Sequence, residues 1–153
     1  MSEVTVGVID PELTRELRRN ILRPHFAADQ QMPGDEHSDA VHIGARIEDG
    51  PVLSTCLIFE DPCPWLPEVT PSWHLRQMAT DPRSRGRGLA SLVVNAAVDY
   101  ARARGARLMW LQARELAVPV YARNGFVIEG GLEYDGEIDV NYQLMWRDLS
   151  TAV

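Results

Sequence analysis

The stretch Arg83-Ser84-Arg85-Gly86-Arg87-Gly88 places three arginines and two glycines in six residues, with Arg76 a short way upstream. Glycines without side chains let a ligand come close to the main chain. A helix starting near Gly88 would aim unpaired N–H groups and its positive dipole end at the same point. The chemistry such residues support is anion binding, phosphate above all. Taken by themselves they read equally well as a solvated basic turn. Their position directly after a strand-like run and before a long amphipathic stretch is what favours a site. A P-loop is excluded, because GxxxxGK[ST] is absent. A dinucleotide fingerprint is a poor fit, since GxGxxG requires glycine where Ser91 stands.

The surrounding elements must hold this cradle. Residues 3–9 read as a strand. Asp10 is a helix cap with Pro11 at the first helical position, opening a helix over about 11–22 that groups Leu13, Leu17, Ile21 and Leu22. Residues 27–39 read as a loop. Residues 40–47 and 51–59 form a hairpin about Glu48-Asp49-Gly50. A proline-rich loop, 60–71, leads to a strand over 72–80. From Gly88 to about Arg104 the apolar residues Leu89, Val93, Ala96, Ala97 and Tyr100 follow helical spacing, and Gly105 stops the helix. Residues 106–113 make a strand buried on both faces. A short helix over about 117–123 follows, then strands over 126–133 and 139–147. The order β-α-β-β-β-α-β-α-β-β specifies an α/β fold with a mixed sheet and helices on both faces.

Composition narrows the partners. A chain of 153 residues suits one domain, 1–153, with a real core. The formal net charge of −7 argues against nucleic acid and anionic membrane as general partners, and makes the arginine cluster a local anion site on an acidic protein. No apolar run approaches the roughly 18 residues of a membrane span. Met1-Ser2-Glu3-Val4 lacks signal-peptide character, so a cytoplasmic location is expected. Cys56 reads as a small buried apolar residue, and Cys63, between prolines, as a candidate exposed thiol. No local set of ligands supports a metal site.

At this point the residues resemble a known family. Arg83 to Gly88 is similar to the [QR]-x-x-G-x-[GA] signature of the GNAT superfamily of acyl-CoA-dependent N-acyltransferases. Ala117-Val118-Pro119-Val120-Tyr121-Ala122-Arg123-Asn124-Gly125-Phe126 resembles that family's A-[IV]-x-[FLV]-Y-x-x-x-G-F segment. The two lie about 30 residues apart with a helix and a strand between them.

The resemblance implies a GNAT-like fold, a central sheet split at the coenzyme site. It implies that N–H groups of Arg85, Gly86, Arg87, Gly88, Leu89 and Ala90 bind the coenzyme A pyrophosphate, with Arg83 adding charge. It implies that main-chain groups at Met78, Ala79 and Thr80 face the pantetheine arm, one N–H near Met78 or Ala79 polarising the thioester carbonyl. Tyr121 matches the residue that protonates the leaving thiolate. A phenol of pKa about 10 suits that leaving group. Many members carry asparagine where this chain has Arg114, which could instead meet a phosphate.

A lysine-like amine costs about 4 kcal/mol to deprotonate at neutral pH, so a base should help. Glu60 is the first candidate for it, and His74 the second. The implied reaction is transfer of acetyl from acetyl-CoA to a primary amine of a small molecule or peptide, in a ternary complex and without metal. A homodimer is implied by family habit. The carboxylate-rich stretches 27–39, 60–73 and 133–141, which include Asp35 and Asp61, would favour a cationic acceptor, with Trp65 and Trp73 lining its pocket or covering the core. The alternative is a coenzyme-binding regulatory module without transferase activity.

Overall fold

In the computed structural model, which describes residues 3–33 and 35–150, seven strands form one mixed sheet in the order β1-β2-β3-β4-β5-β7-β6. The elements are β1 (Val4–Val8), α1 (Pro11–Leu22), β2 (Val41–Ile47), β3 (Val52–Glu60), β4 (Ser72–Thr80), α2 (Leu89–Ala103), β5 (Leu108–Arg114), α3 (Val118–Arg123), β6 (Val127–Asp135) and β7 (Val140–Asp148). Two short 3-10 turns, Pro82–Ser84 and Glu115–Ala117, follow the ends of β4 and β5, the first at the turn the Asp81-Pro82 pair signals. The expected element order is matched throughout, as is the fold class.

The chain divides into two compact units. The first runs up to Phe59 and resumes over Arg76–Ala97; the second holds Glu60–Leu75 and Val98 onward. In the first unit, β1, β2 and β3 pair antiparallel, the β2–β3 register shifting at Ala45/Arg46. The hairpin turn closes with Gly50 N–H donating to Ile47 O at 3.0 Å. Asp10 caps α1 as expected, its carboxylate accepting from Glu12 N–H at 2.9 Å.

Leu17, Ile21 and Leu22 of α1 pack on the core as expected, but the rest of its buried stripe differs. Thr14, Arg18 and Leu22 face inward, and Leu13 is 49% exposed. The cause is Arg18, whose fully buried guanidinium donates to Asp35 Oδ1 at 2.9 Å and to Thr14 Oγ1 at 3.0 Å. A pattern that treats arginine as outward-facing rotates the helix by about one residue. Asp35 is therefore an internal counter-ion and not a rim carboxylate. Its Oδ2 also accepts Met32 N–H at 3.2 Å, and Met32 packs with Leu22 and Ala79.

In the second unit, Ser72–Leu75 of β4 pairs parallel with Leu108–Leu111 of β5, and β7 lies between β5 and β6. Leu108–Leu111 are buried without alternation, as a strand covered on both faces requires. Cys63 is not exposed: it is buried with Leu108 and Trp110, and Trp65 packs on the same cluster. Prolines near a cysteine signal a loop, not its exposure; here Trp65 and Trp146 pack against the cluster that holds it. Trp73 is buried too, edge-on to Tyr100.

Candidate active site

The first unit builds the cradle. Asp81 N–H donates to Leu53 O at 2.8 Å, which fixes the end of β4 on β3. The Asp81 carboxylate accepts Arg83 N–H at 2.9 Å and folds the turn over Pro82–Ser84. The same carboxylate pairs with the Arg83 guanidinium at 3.1 Å, which holds its pKa below the usual aspartate value. Arg83 thus has its charge balanced locally. Arg85 and Arg87 are exposed, and neither joins an ion pair among the described residues.

Gly86 and Gly88 have φ of +85° and +76°, a region side chains avoid. Beyond the chain neighbours, no atom of the described residues lies within 4 Å of where a Cβ would sit on either, so packing does not demand glycine there and the space beside the main chain is open. The first helical bond of α2 runs from Leu92 N–H to Gly88 O at 3.1 Å. The N–H groups of Leu89 and Ala90 lie ahead of it, where helix geometry supplies no carbonyl. Leu89 turns its side chain into the core. The segment can therefore offer main-chain donors and a helix dipole to an anion.

Just upstream, β4 is irregular. Its parallel ladder with β5 ends at Leu75/Leu111, and Gln77 has φ +58°. Left-handed backbone costs a glutamine about 1–2 kcal/mol. Its side-chain Oε1 is buried with no hydrogen-bond partner among the described residues, at a further cost of about 1–3 kcal/mol. Ala79 has its side chain in the core beside Leu22 and Met32, and the Thr80 hydroxyl is 2.9 Å from Ser54 Oγ. With those side chains engaged, only the main chain of Ala79 and Thr80 is left for a ligand. Met78, just before them, is half-buried.

The second unit carries the titratable groups. Tyr121 is 3% exposed on α3, edge-on to Phe126 with ring centroids 5.8 Å apart. A six-residue helix is too short to persist alone, and its end is stapled. Asn124 Nδ2 donates to Val120 O at 2.7 Å, and Phe126 N–H to Tyr121 O at 3.1 Å. Arg147 of β7 donates to Asn124 O at 3.0 Å. Gly125, at φ +88°, passes so close to Arg147 that a Cβ would lie 3.1 Å from its Nε. This explains the Asn-Gly-Phe ending on physical grounds.

Glu60, the last residue of β3, is exposed. His74 is buried, its Nδ1 3.2 Å from Asp61 Oδ2 and its ring stacked on Trp110 with centroids 3.6 Å apart. Trp110 Nε1 donates to Asp61 O at 2.9 Å, so one residue orients both rings. Arg114 is half-buried at the end of β5, opposite Tyr142 of β7. Sequence reasoning singles out neither Gln77 nor a pairing role for Asp61. Nothing in a glutamine signals left-handed backbone, while Asp61 adjoins Glu60 and its pairing depends on tertiary structure.

The acetyltransferase (GNAT) family model matches residues 10–126. Over 148 residues the chain is 29% identical to the uncharacterized N-acetyltransferase YitI of Bacillus subtilis (strain 168), covering 96% of this chain and 97% of that protein. The fold is similar to that of an aminoglycoside 6′-N-acetyltransferase complexed with coenzyme A, with TM-score 0.75, 10% identity and 97% and 99% of the two chains covered. It is also similar to the ribosomal-protein-S18-alanine N-acetyltransferase of Escherichia coli, with TM-score 0.69, 15% identity and 99% and 97% covered.

Proposed function

The chain belongs to the GNAT family of acetyltransferases, and from that premise we propose that it transfers acetyl from acetyl-CoA to a primary amine by direct attack in a ternary complex. The observation that carries the reading is the open glycine cradle. Two left-handed glycines with empty space beside them lead into a helix start, next to two exposed arginines. A pyrophosphate matches such donors in charge and size. Main-chain groups of Met78, Ala79 and Thr80 are assigned to the arm of the coenzyme, and an N–H near Met78 or Ala79 to the thioester oxygen.

In the reaction the amine nitrogen bonds to the thioester carbon, the C–S bond breaks, and the amine gives up a proton. Tyr121 is assigned as the acid that hands its phenolic proton to the thiolate. For the base, the His74–Asp61 pair has better chemistry than exposed Glu60. A carboxylate accepting from Nδ1–H selects the tautomer with its lone pair on Nε2. Fold neighbours named for an aminoglycoside and for the alanine of ribosomal protein S18 support a small-molecule or peptide amine as the acceptor. No described helix is long and apolar enough to cross a membrane. We further propose that residues 1–153 act as a single catalytic domain.

The test pairs binding with turnover. Tyr121→Phe keeps the ring that packs on Phe126. It should leave the Kd for coenzyme A within about twofold while kcat falls on the order of 10²-fold. Thiol release measured with a panel of amines reads the second quantity and calorimetric titration the first. Equal turnover by the two proteins across pH would remove Tyr121 from the acid role. Failure of the wild-type protein to bind coenzyme A would remove the whole reading.

A further inference from the structure

Two unfavourable features meet at Gln77, in the middle of β4 and one residue before Met78. Its backbone is left-handed, and its amide oxygen is buried without a partner among the described residues. Glycine at this position would relieve the first. An apolar side chain of the same length would relieve the second. Packing therefore offers no reason for a glutamine. Strain and an unsatisfied acceptor on a single residue mark a group held ready for something that arrives later.

We propose that Gln77 Oε1 is a substrate-recognition group that accepts a hydrogen bond from an N–H donor of a bound substrate. The inference rests on the acetyl-CoA reading above. Two substrates carry such a donor: the arm of the acyl donor, through its amides, and the acceptor amine. Gln77 lies in the strand segment assigned to the arm, and the main-chain groups on either side of a left-handed residue are turned out of the regular ladder. The bond, once made, removes the cost of the buried oxygen, so the site is more stable loaded than empty.

The test uses two variants of the full chain. Gln77→Met keeps the length and the backbone strain but removes the acceptor. Gln77→Gly removes both, and keeps the test alive if methionine packs badly. Both should melt at or above the wild-type Tm without ligand, while substrate binding weakens about tenfold, the effect of one lost hydrogen bond in a buried site. Titration with coenzyme A and with 3′-phospho-ADP, which lacks the arm, distinguishes the sources. A weaker Kd for coenzyme A alone assigns the donor to the arm. An unchanged Kd with a tenfold higher KM for the amine assigns it to the acceptor. Unchanged Kd and KM in both variants would overturn the proposal, as would parallel loss for coenzyme A and 3′-phospho-ADP, which marks a distorted cradle. Wild-type protein that fails to bind coenzyme A overturns the parent reading, and this one with it.

Discussion

At the residue scale, the contact between Asp61 and His74 is the reason the proposal places His74 ahead of Glu60 as the base. An exposed carboxylate such as Glu60 has water as its competitor for any proton. His74 is enclosed, stacked on Trp110, and bonded to Asp61 at 3.2 Å. His74→Gln should lower kcat at neutral pH by on the order of 10²-fold, whereas Glu60→Gln should change kcat less than about threefold. Steady-state thiol release between pH 5 and 9 decides between them, and the reverse ranking would return the role to Glu60. Arginines, glycines and Tyr121 could be picked out from the sequence because motif spacing is local. Arg18 and Gln77 could not. Their character comes from a distant counter-ion in one case and from a backbone angle in the other, and neither leaves a trace in residue type.

At the element scale, the order and ends of helices and strands were legible, since period, caps and turn residues act within a few positions. The turn at Asp81-Pro82 was legible too, because the Asp81 carboxylate acts on Arg83 N–H two residues away, but its anchoring through Asp81 N–H to Leu53 O was not. The junction from β4 to α2 also yields a controlled prediction. Gly88 and Gly105 flank α2 with φ of +76° and +82°, and beyond the chain neighbours a Cβ added to either would meet no atom of the described residues within 4 Å. Alanine at either position carries a similar strain of about 1–2 kcal/mol, seen as a lowered Tm. On the proposed reading, only at Gly88 would the methyl group occupy the approach of a ligand to the main chain. Gly88→Ala should therefore weaken coenzyme A by at least about tenfold, and Gly105→Ala should leave its Kd unchanged. Equal Kd values for the two variants would exclude the cradle as the docking point.

At the scale of the whole molecule, the alternation of strands and helices specified a mixed sheet, but which buried polar groups the core would contain was hidden. One of them sets how stability responds to acid. His42 on β2 is 4% exposed, and its Nδ1 has no hydrogen-bond partner among the described residues. Burial, then the Arg18 charge, pulls its pKa from 6.5 down to about 4, against opposing pulls from Asp35 and Asp10. The folded chain therefore binds fewer protons at His42 than the unfolded chain between those two values. The contribution is fully present above pH 6.5, declines as pH falls toward 4, and is constant below that. Urea unfolding at pH 7 and pH 4.5 should differ by about 2–3 kcal/mol from this group. His42→Leu fills the site without a titrating nitrogen and should flatten that part of the curve. The low Asp81 and Asp148 pKa values act only below the ordinary aspartate value of 3.8, so the difference between wild type and variant over this window isolates the histidine. Parallel curves for the two proteins would show that water or a relaxed Arg18 lets His42 charge without loss.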